Sequence, residues 1–169
     1  TPDAVPANNV FTADVTVTAS FDPNDKVAAT SSRTSTTLFL IDADEWIDYT
    51  VRFQNTGDFP ADFVRVVDVL ADDIDAASLR LLASSHACTW SFPAPNTVEF
   101  FFENIQLPDS VSNEPGSHGF VKFSVLPRKG LPLGTAIENA CDIYFDFNDP
   151  VRTNTIGTQV VAFLPHDAP

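Results

Sequence analysis

Glu138 to Pro150 reads ENACDIYFDFNDP, and Val51 to Gly57 reads VRFQNTG. In the first, Asn139, Cys141, Ile143, Phe145 and Phe147 share one side of an alternating chain with the preceding Ile137. The second closes a half-apolar run with Asn55-Thr56-Gly57, residues that tolerate a left-handed turn. Both are strand-and-turn patterns of a β-sandwich, and neither is a catalytic or cofactor motif.

Working outward, period-two alternation dominates. Around 46–54, Ile47, Tyr49, Val51 and Phe53 oppose Asp48, Thr50, Arg52 and Gln54, which predicts a half-buried strand. The same reading gives strands near 13–21, 36–41, 63–70, 87–92, 97–103, 119–126, 137–147 and 156–163. Asp72 to Leu82, DDIDAASLRLL, is the one stretch that reads as helical, short enough for a single turn in a crossover. The expected fold is all-β, an immunoglobulin-like two-sheet antiparallel β-sandwich, because the gaps cannot hold the helices of an α/β enzyme. Residues 1–12 read as an N-terminal linker or donated segment, 13–164 as the sandwich and 165–169 as a C-terminal tail.

A chain of 169 residues suits one well-buried core. With 23 acidic and 9 basic side chains its net charge is −14, a field that repels phosphate backbones and anionic lipid heads. Nucleic acid and membrane surfaces are therefore poor partners, whereas cations or simple solubility account for the carboxylates. No apolar run reaches the roughly 20 residues that span a bilayer. The absence of methionine fits an exported chain that has been processed or is a piece of a longer protein. Two cysteines, Cys88 and Cys141, leave one possible disulfide, which an extracellular, secreted or cell-surface location permits.

The motifs DPNDK (22–26), YTVRFQNTG (49–57), VRVVDVL (64–70), SSH (84–86), LPDS (107–110), NEPGSHGFVKFSV (113–125), LPLGT (131–135) and ENACDIYFDFNDPVRTNT (138–155) follow in order. This series resembles the conserved domain near the C-terminus of large secreted, type IX secretion-associated proteins of Bacteroidota. The resemblance covers about residues 20 to 156 and implies an exported, surface-attached or released protein, with no agreed biochemical activity for the domain. More distantly, the NTG turn, the V-x-V-x-D strand and the N-x-A strand are similar to bacterial surface-protein repeat domains and collagen-adhesin-type sandwiches. Some of those carry a self-formed lysine–asparagine isopeptide bond.

Such a bond needs a neutral amine beside an asparagine amide that a protonated carboxyl group polarises. An apolar core favours both protonation states, because desolvation penalises charge. Strand parity turns Asp68 inward with Val64, Val66 and Leu70, and places Asn139 on the face of Ile137 and Cys141. Of the three lysines, Lys122 points outward and Lys129 lies in a turn, which leaves Lys26. The order lysine, aspartate, asparagine matches the adhesin pattern. The alternative is that Asp68 and Asn139 only hydrogen-bond to backbone.

Asp-x-Asn-Asp occurs twice. Asp22, Asn24, Asp25, Asp146, Asn148 and Asp149 would form a calcium site if the two segments converge, or turns if they do not. Parity points Cys88 and Cys141 inward, as a disulfide or as two reduced core thiols. His86, His118 and His166 have serines near two of them, but no G-x-S-x-G accompanies them, so turns rather than a hydrolytic triad are expected.

The function expected is non-catalytic, an extracellular structural or adhesive module that contacts other protein domains. One alternative is a filament subunit whose Val10 to Phe21 segment, alternating Val15, Val17, Ala19 and Phe21, pairs with a neighbour's sheet edge. Another is a polysaccharide-binding accessory domain of a secreted hydrolase, with Trp46 or Trp90 lining one groove.

Overall fold

A computed structural model describes residues 23–163, and no helix occurs among them. The strands are β1 (Asp25–Thr30), β2 (Leu38–Leu40), β3 (Ile47–Gln54), β4 (Val64–Val69), β5 (Ile74–Ser84), β6 (Thr89–Ala94), β7 (Thr97–Phe102), β8 (His118–Pro127), β9 (Ala136–Asn139), β10 (Cys141–Phe145), β11 (Val151–Arg152) and β12 (Ile156–Val161). One main sheet has the order β1-β3-β8-β5 and the other β11-β10-β4-β7-β6; a three-stranded sheet, β2-β12-β9, completes the layout. The chain thus adopts the expected immunoglobulin-like sandwich.

The core follows from alternation. Ile47, Tyr49, Val51 and Phe53 of β3 are fully buried, as are Val121, Phe123 and Val125 of β8, Val64 and Val66 of β4 and Val98, Phe100 and Phe102 of β7. Rings cross between the main sheets, with Phe53 and Phe102 centroids 5.2 Å apart and Phe100 and Phe123 5.0 Å apart. Gly119 lies opposite Phe53 in the β3–β8 ladder, and its missing side chain leaves the place that the Phe53 ring fills.

Four local expectations are corrected. The stretch read as helical is strand β5, paired with β8 through two irregularities, between Asp75 and Arg80 and between Leu81 and Ala83. Those bulges destroy period two, so only Ile74 and Leu79 are buried along it, while its Ala, Leu and Arg content mimics a helix. The single strand expected at 137–147 breaks at Ala140, where β9 pairs with β12 and β10 with β4 and β11. Phe147, expected inward, lies beyond Asp146 (φ 54°) in the β10–β11 turn and is almost wholly exposed. Asn55 closes its turn as an Asx turn, accepting from the Gly57 amide at 3.0 Å, without a left-handed residue. The 13–21 strand and the Val10 to Phe21 segment fall outside the described residues, apart from which β1 and the two-residue β11 were not foreseen.

Candidate functional site

Of the three residues singled out by parity and elimination, Lys26 and Asp68 meet in the core, and Asn139 is buried facing Tyr49, the residue that packs on Lys26. In β1, Lys26 lies opposite Val51 and Ala28 opposite Tyr49, so Lys26, Ala28 and Thr30 face inward. Asp68 is the last inward residue of β4, between Cys141 of β10 and Val98 of β7. Lys26 Nζ donates to Asp68 Oδ2 across the sandwich, and both side chains are 0% exposed. Asn139, the last residue of β9, is also buried, and it stands two residues from the Cys141 that faces Asp68.

Tyr49 joins the three. Lys26 Nζ sits 4.5 Å from the centre of its ring and 5.5 Å from that of Phe123, which gives the ammonium two aromatic faces. The Tyr49 hydroxyl faces the Asn139 amide without closing a hydrogen bond of ordinary geometry. Burial, reinforced by the nearby Asp68 carboxylate, pushes that hydroxyl well above its ordinary value.

Native cores leave few buried polar atoms unpartnered. Here Tyr49 Oη, Asp68 Oδ1 and both Asn139 amide atoms lack a hydrogen bond, and with Thr158 Oγ1 they complete the set of such atoms among the described residues. Each costs about 1–3 kcal/mol when desolvated alone. Asp68 is the partner of Lys26, and Tyr49 packs its ring on the same lysine.

Residues after the β10–β11 hairpin frame this cluster, and sequence reasoning missed them. Asn154 Oδ1 accepts from Lys26 N at 2.9 Å, and its Nδ2 donates to Lys26 O at 3.0 Å. Thr153 donates its backbone N–H to Cys141 O at 2.9 Å, and its Oγ1 accepts from Cys141 N at 3.1 Å. An Asn between two threonines near a hairpin reads as an ordinary loop residue, so no signal marks either role.

The other candidates separate. Cys88 and Cys141 are free thiols, correcting the disulfide. Parity did turn Cys141 inward, but Cys141 is on β10 and Cys88 adjoins β6, with β4 and β7 between them in the same sheet. Three strand spacings of about 4.8 Å exceed any disulfide's reach. Burial pushes the Cys141 thiol up to about 12, against an opposing pull from Lys26, and burial also raises that of Cys88.

The two Asp-x-Asn-Asp segments serve as fasteners and turns. Asn24 Oδ1 accepts from Gln54 N at 3.1 Å, and Asp25 pairs with the Arg52 guanidinium, its Oδ1 2.6 Å from Nε. Asp146 Oδ1 accepts from Phe63 N at 3.0 Å, and Asn148 N donates to Phe145 O, while exposed Asp149 continues that loop. Asp22 lies outside the described residues, among which no group of three or more His, Cys, Asp or Glu is placed to hold a metal ion.

His86 Nδ1 meets Ser85 Oγ at 2.8 Å, but Ser85 is engaged with the Phe120 backbone, and His118 pairs with Glu114. Ser117 is buried in a turn, donating to Glu114 O, and His166 lies outside the described residues. Trp46 is covered by the Arg80 guanidinium, 4.0 Å from its ring, beside the first sheet; Trp90 packs on Phe92 along β6 of the second. The two tryptophans therefore line no common groove.

Solved structures share the architecture. The major pilin SpaA of Corynebacterium diphtheriae, whose structure is described as pointing to a modular pilus assembly with stabilising isopeptide bonds, aligns with a TM-score of 0.56 and 11% identity over 82% of this chain and 38% of the pilin. SpaD, another major pilin of that organism, gives 0.55 and 16% over 80% of this chain and 35% of the pilin. The Actinomyces fimbrial adhesin FimA gives 0.54 and 12% over 80% and 56%. This chain spans little more than a third of the two corynebacterial pilins. No curated protein matches the sequence. The family profile of the domain of unknown function DUF7619 matches residues 22–159, and the chain belongs to that family.

Proposed function

We propose that this chain is a non-catalytic structural or adhesive module of a secreted or cell-surface protein, and that its core is sealed by an amide bond between Lys26 Nζ and Asn139 Cγ. The observation that carries the reading is the fully buried Lys26–Asp68 pair packed on Tyr49, whose hydroxyl faces a buried Asn139 amide that has no hydrogen bond. The likeness to surface pilins, one described with stabilising isopeptide bonds, agrees with it.

Passing one proton from Lys26 Nζ to Asp68 turns ammonium and carboxylate into amine and carboxylic acid, which removes two buried charges. The amine lone pair then attacks Asn139 Cγ, while the protonated Asp68 donates to Asn139 Oδ1 and stabilises the developing oxyanion. As the adduct collapses, the Cγ–Nδ2 bond breaks, one proton from Nζ passes to the departing nitrogen, and ammonia leaves. One primary amide and one amine become one secondary amide and one ammonia, so no oxidant or reductant is needed.

The consequence is mechanical. Tension entering at β1 would pass through the Lys26 side chain to Asn139 and out along β10 to β12, so residues 27–138 carry none of it. Type IX-associated export and contacts with other protein domains belong to the same reading. Intact-mass spectrometry of the purified protein tests it, with and without reductant: loss of one ammonia, insensitive to reductant, supports the bond, and the full translated mass overturns it.

A second reading, assembly by strand pairing, is favoured by β6. An edge strand among the described residues, it is exposed along its whole length and carries Trp90 and Phe92. Concentration-dependent polymers in sedimentation would support it, and a monomer at every concentration would remove it.

A further inference from the structure

We propose that Asn154 is a positioning residue for the Lys26–Asn139 condensation, its side-chain amide standing in for the neighbouring strand that β1 lacks at Lys26. This rests on the amide-bond reading above. Among the described residues β1 is the edge of its sheet, with β3 on one side only. The main-chain N–H and C=O of Lys26 both point to the open edge, where one carboxamide satisfies them at 2.9 and 3.0 Å. A paired donor and acceptor on one residue is what an adjacent strand would offer. It fixes the backbone dihedrals of Lys26 and therefore the direction in which its side chain enters the core.

The neighbouring residue supplies the other half. Thr153 makes the equivalent pair of hydrogen bonds to N and O of Cys141, the residue opposite Asp68 and two beyond Asn139. Two consecutive residues thus tie the nucleophile's backbone in one sheet to Cys141 at the start of β10 in the other, two residues beyond the acceptor Asn139, and set the spacing across which the new bond forms. Asn154 is itself exposed, so it fills no core volume, and its side-chain amide atoms are committed to Lys26. A misplacement of about 1 Å between reacting groups can slow a reaction on the order of a hundredfold.

The test is a rate. Wild type, Asn154→Ala and Asn154→Asp are made by cell-free synthesis, aliquots are quenched in acid, and intact mass follows the loss of ammonia with time. Asn154→Ala is expected to lose it at least about tenfold more slowly than wild type. Asn154→Asp keeps the acceptor for Lys26 N but loses the donor to Lys26 O, and falls between. The same substitutions in an Asn139→Ala background, where no bond forms, report the folded fraction by circular dichroism. A wild-type rate in Asn154→Ala, or a slowing fully explained by its unfolded fraction, overturns the proposal while leaving the bond itself intact. Should Asn154→Ala fail to fold, the rate of Asn154→Asp decides in the same way. No ammonia loss in wild type overturns the bond and this role together.

Discussion

Lys26 and Asp68 face each other from opposite sheets with no exposed surface on either side chain. Opposite charges in a core stabilise each other only as a pair; removing one partner leaves the other desolvated and uncompensated. Asp68→Ala should therefore leave the translated mass unchanged and lower stability by about 3–5 kcal/mol beyond what loss of the bond alone costs. Chemical denaturation with mass spectrometry on the same sample measures both. Ammonia loss in that variant would remove Asp68 from the chemistry.

Asn139→Ala separates bond from pair, since Lys26 keeps Asp68. A cross-link closing a loop of this length adds about 4–5 kcal/mol in the chain-entropy account. The variant should melt roughly 10–20 °C below wild type by calorimetry. An unchanged melting temperature would mean that residues 26 and 139 are not linked.

Tyr49→Phe removes a buried hydroxyl that has no hydrogen bond. Deleting an unsatisfied group while keeping the ring that packs on Lys26 should leave stability unchanged or raise it by about 1 kcal/mol. A loss of stability in urea titration would show that the hydroxyl has a partner in solution.

The buried Cys141 thiol, pushed up from 9.0 to about 12, holds its proton more tightly in the folded than in the unfolded chain. Above pH 9 the unfolded state binds fewer protons, so stability falls as pH rises from 9 towards 12, at up to about 1.4 kcal/mol per pH unit for one such group. Tyr49, shifted in the same direction, adds to the fall. Cys141→Ala should show a shallower alkaline decline in urea midpoints than wild type. A thiol reagent at pH 8 should modify half-buried Cys88 and spare Cys141 in the native protein.

What was legible follows from where alternation is strict. β3, β4, β7 and β8 sit in the middle of their sheets, so every second side chain must be apolar and the strands announce themselves. β1 was hidden by the feature that matters most. Its inward positions are Lys26, Ala28 and Thr30, and a lysine pointing into the core breaks the pattern by which strands are recognised. In β5 bulges break it instead. Asp68 and Asn139 were readable because each is a polar residue in phase with apolar neighbours, an irregularity that local pattern exposes.

The sequence by itself determined the two-layer architecture and the inward direction of Asp68, Asn139 and Cys141, because side-chain alternation is a property of consecutive residues. Only the tertiary structure decided which inward groups meet. Strand order set Cys88 and Cys141 three strand spacings apart within one sheet, yet brought Lys26 to Asp68 across the sandwich and laid Asn154 along an edge 128 residues away in the chain. Pairing between distant strands depends on how the whole core closes, and that information is carried by no single segment.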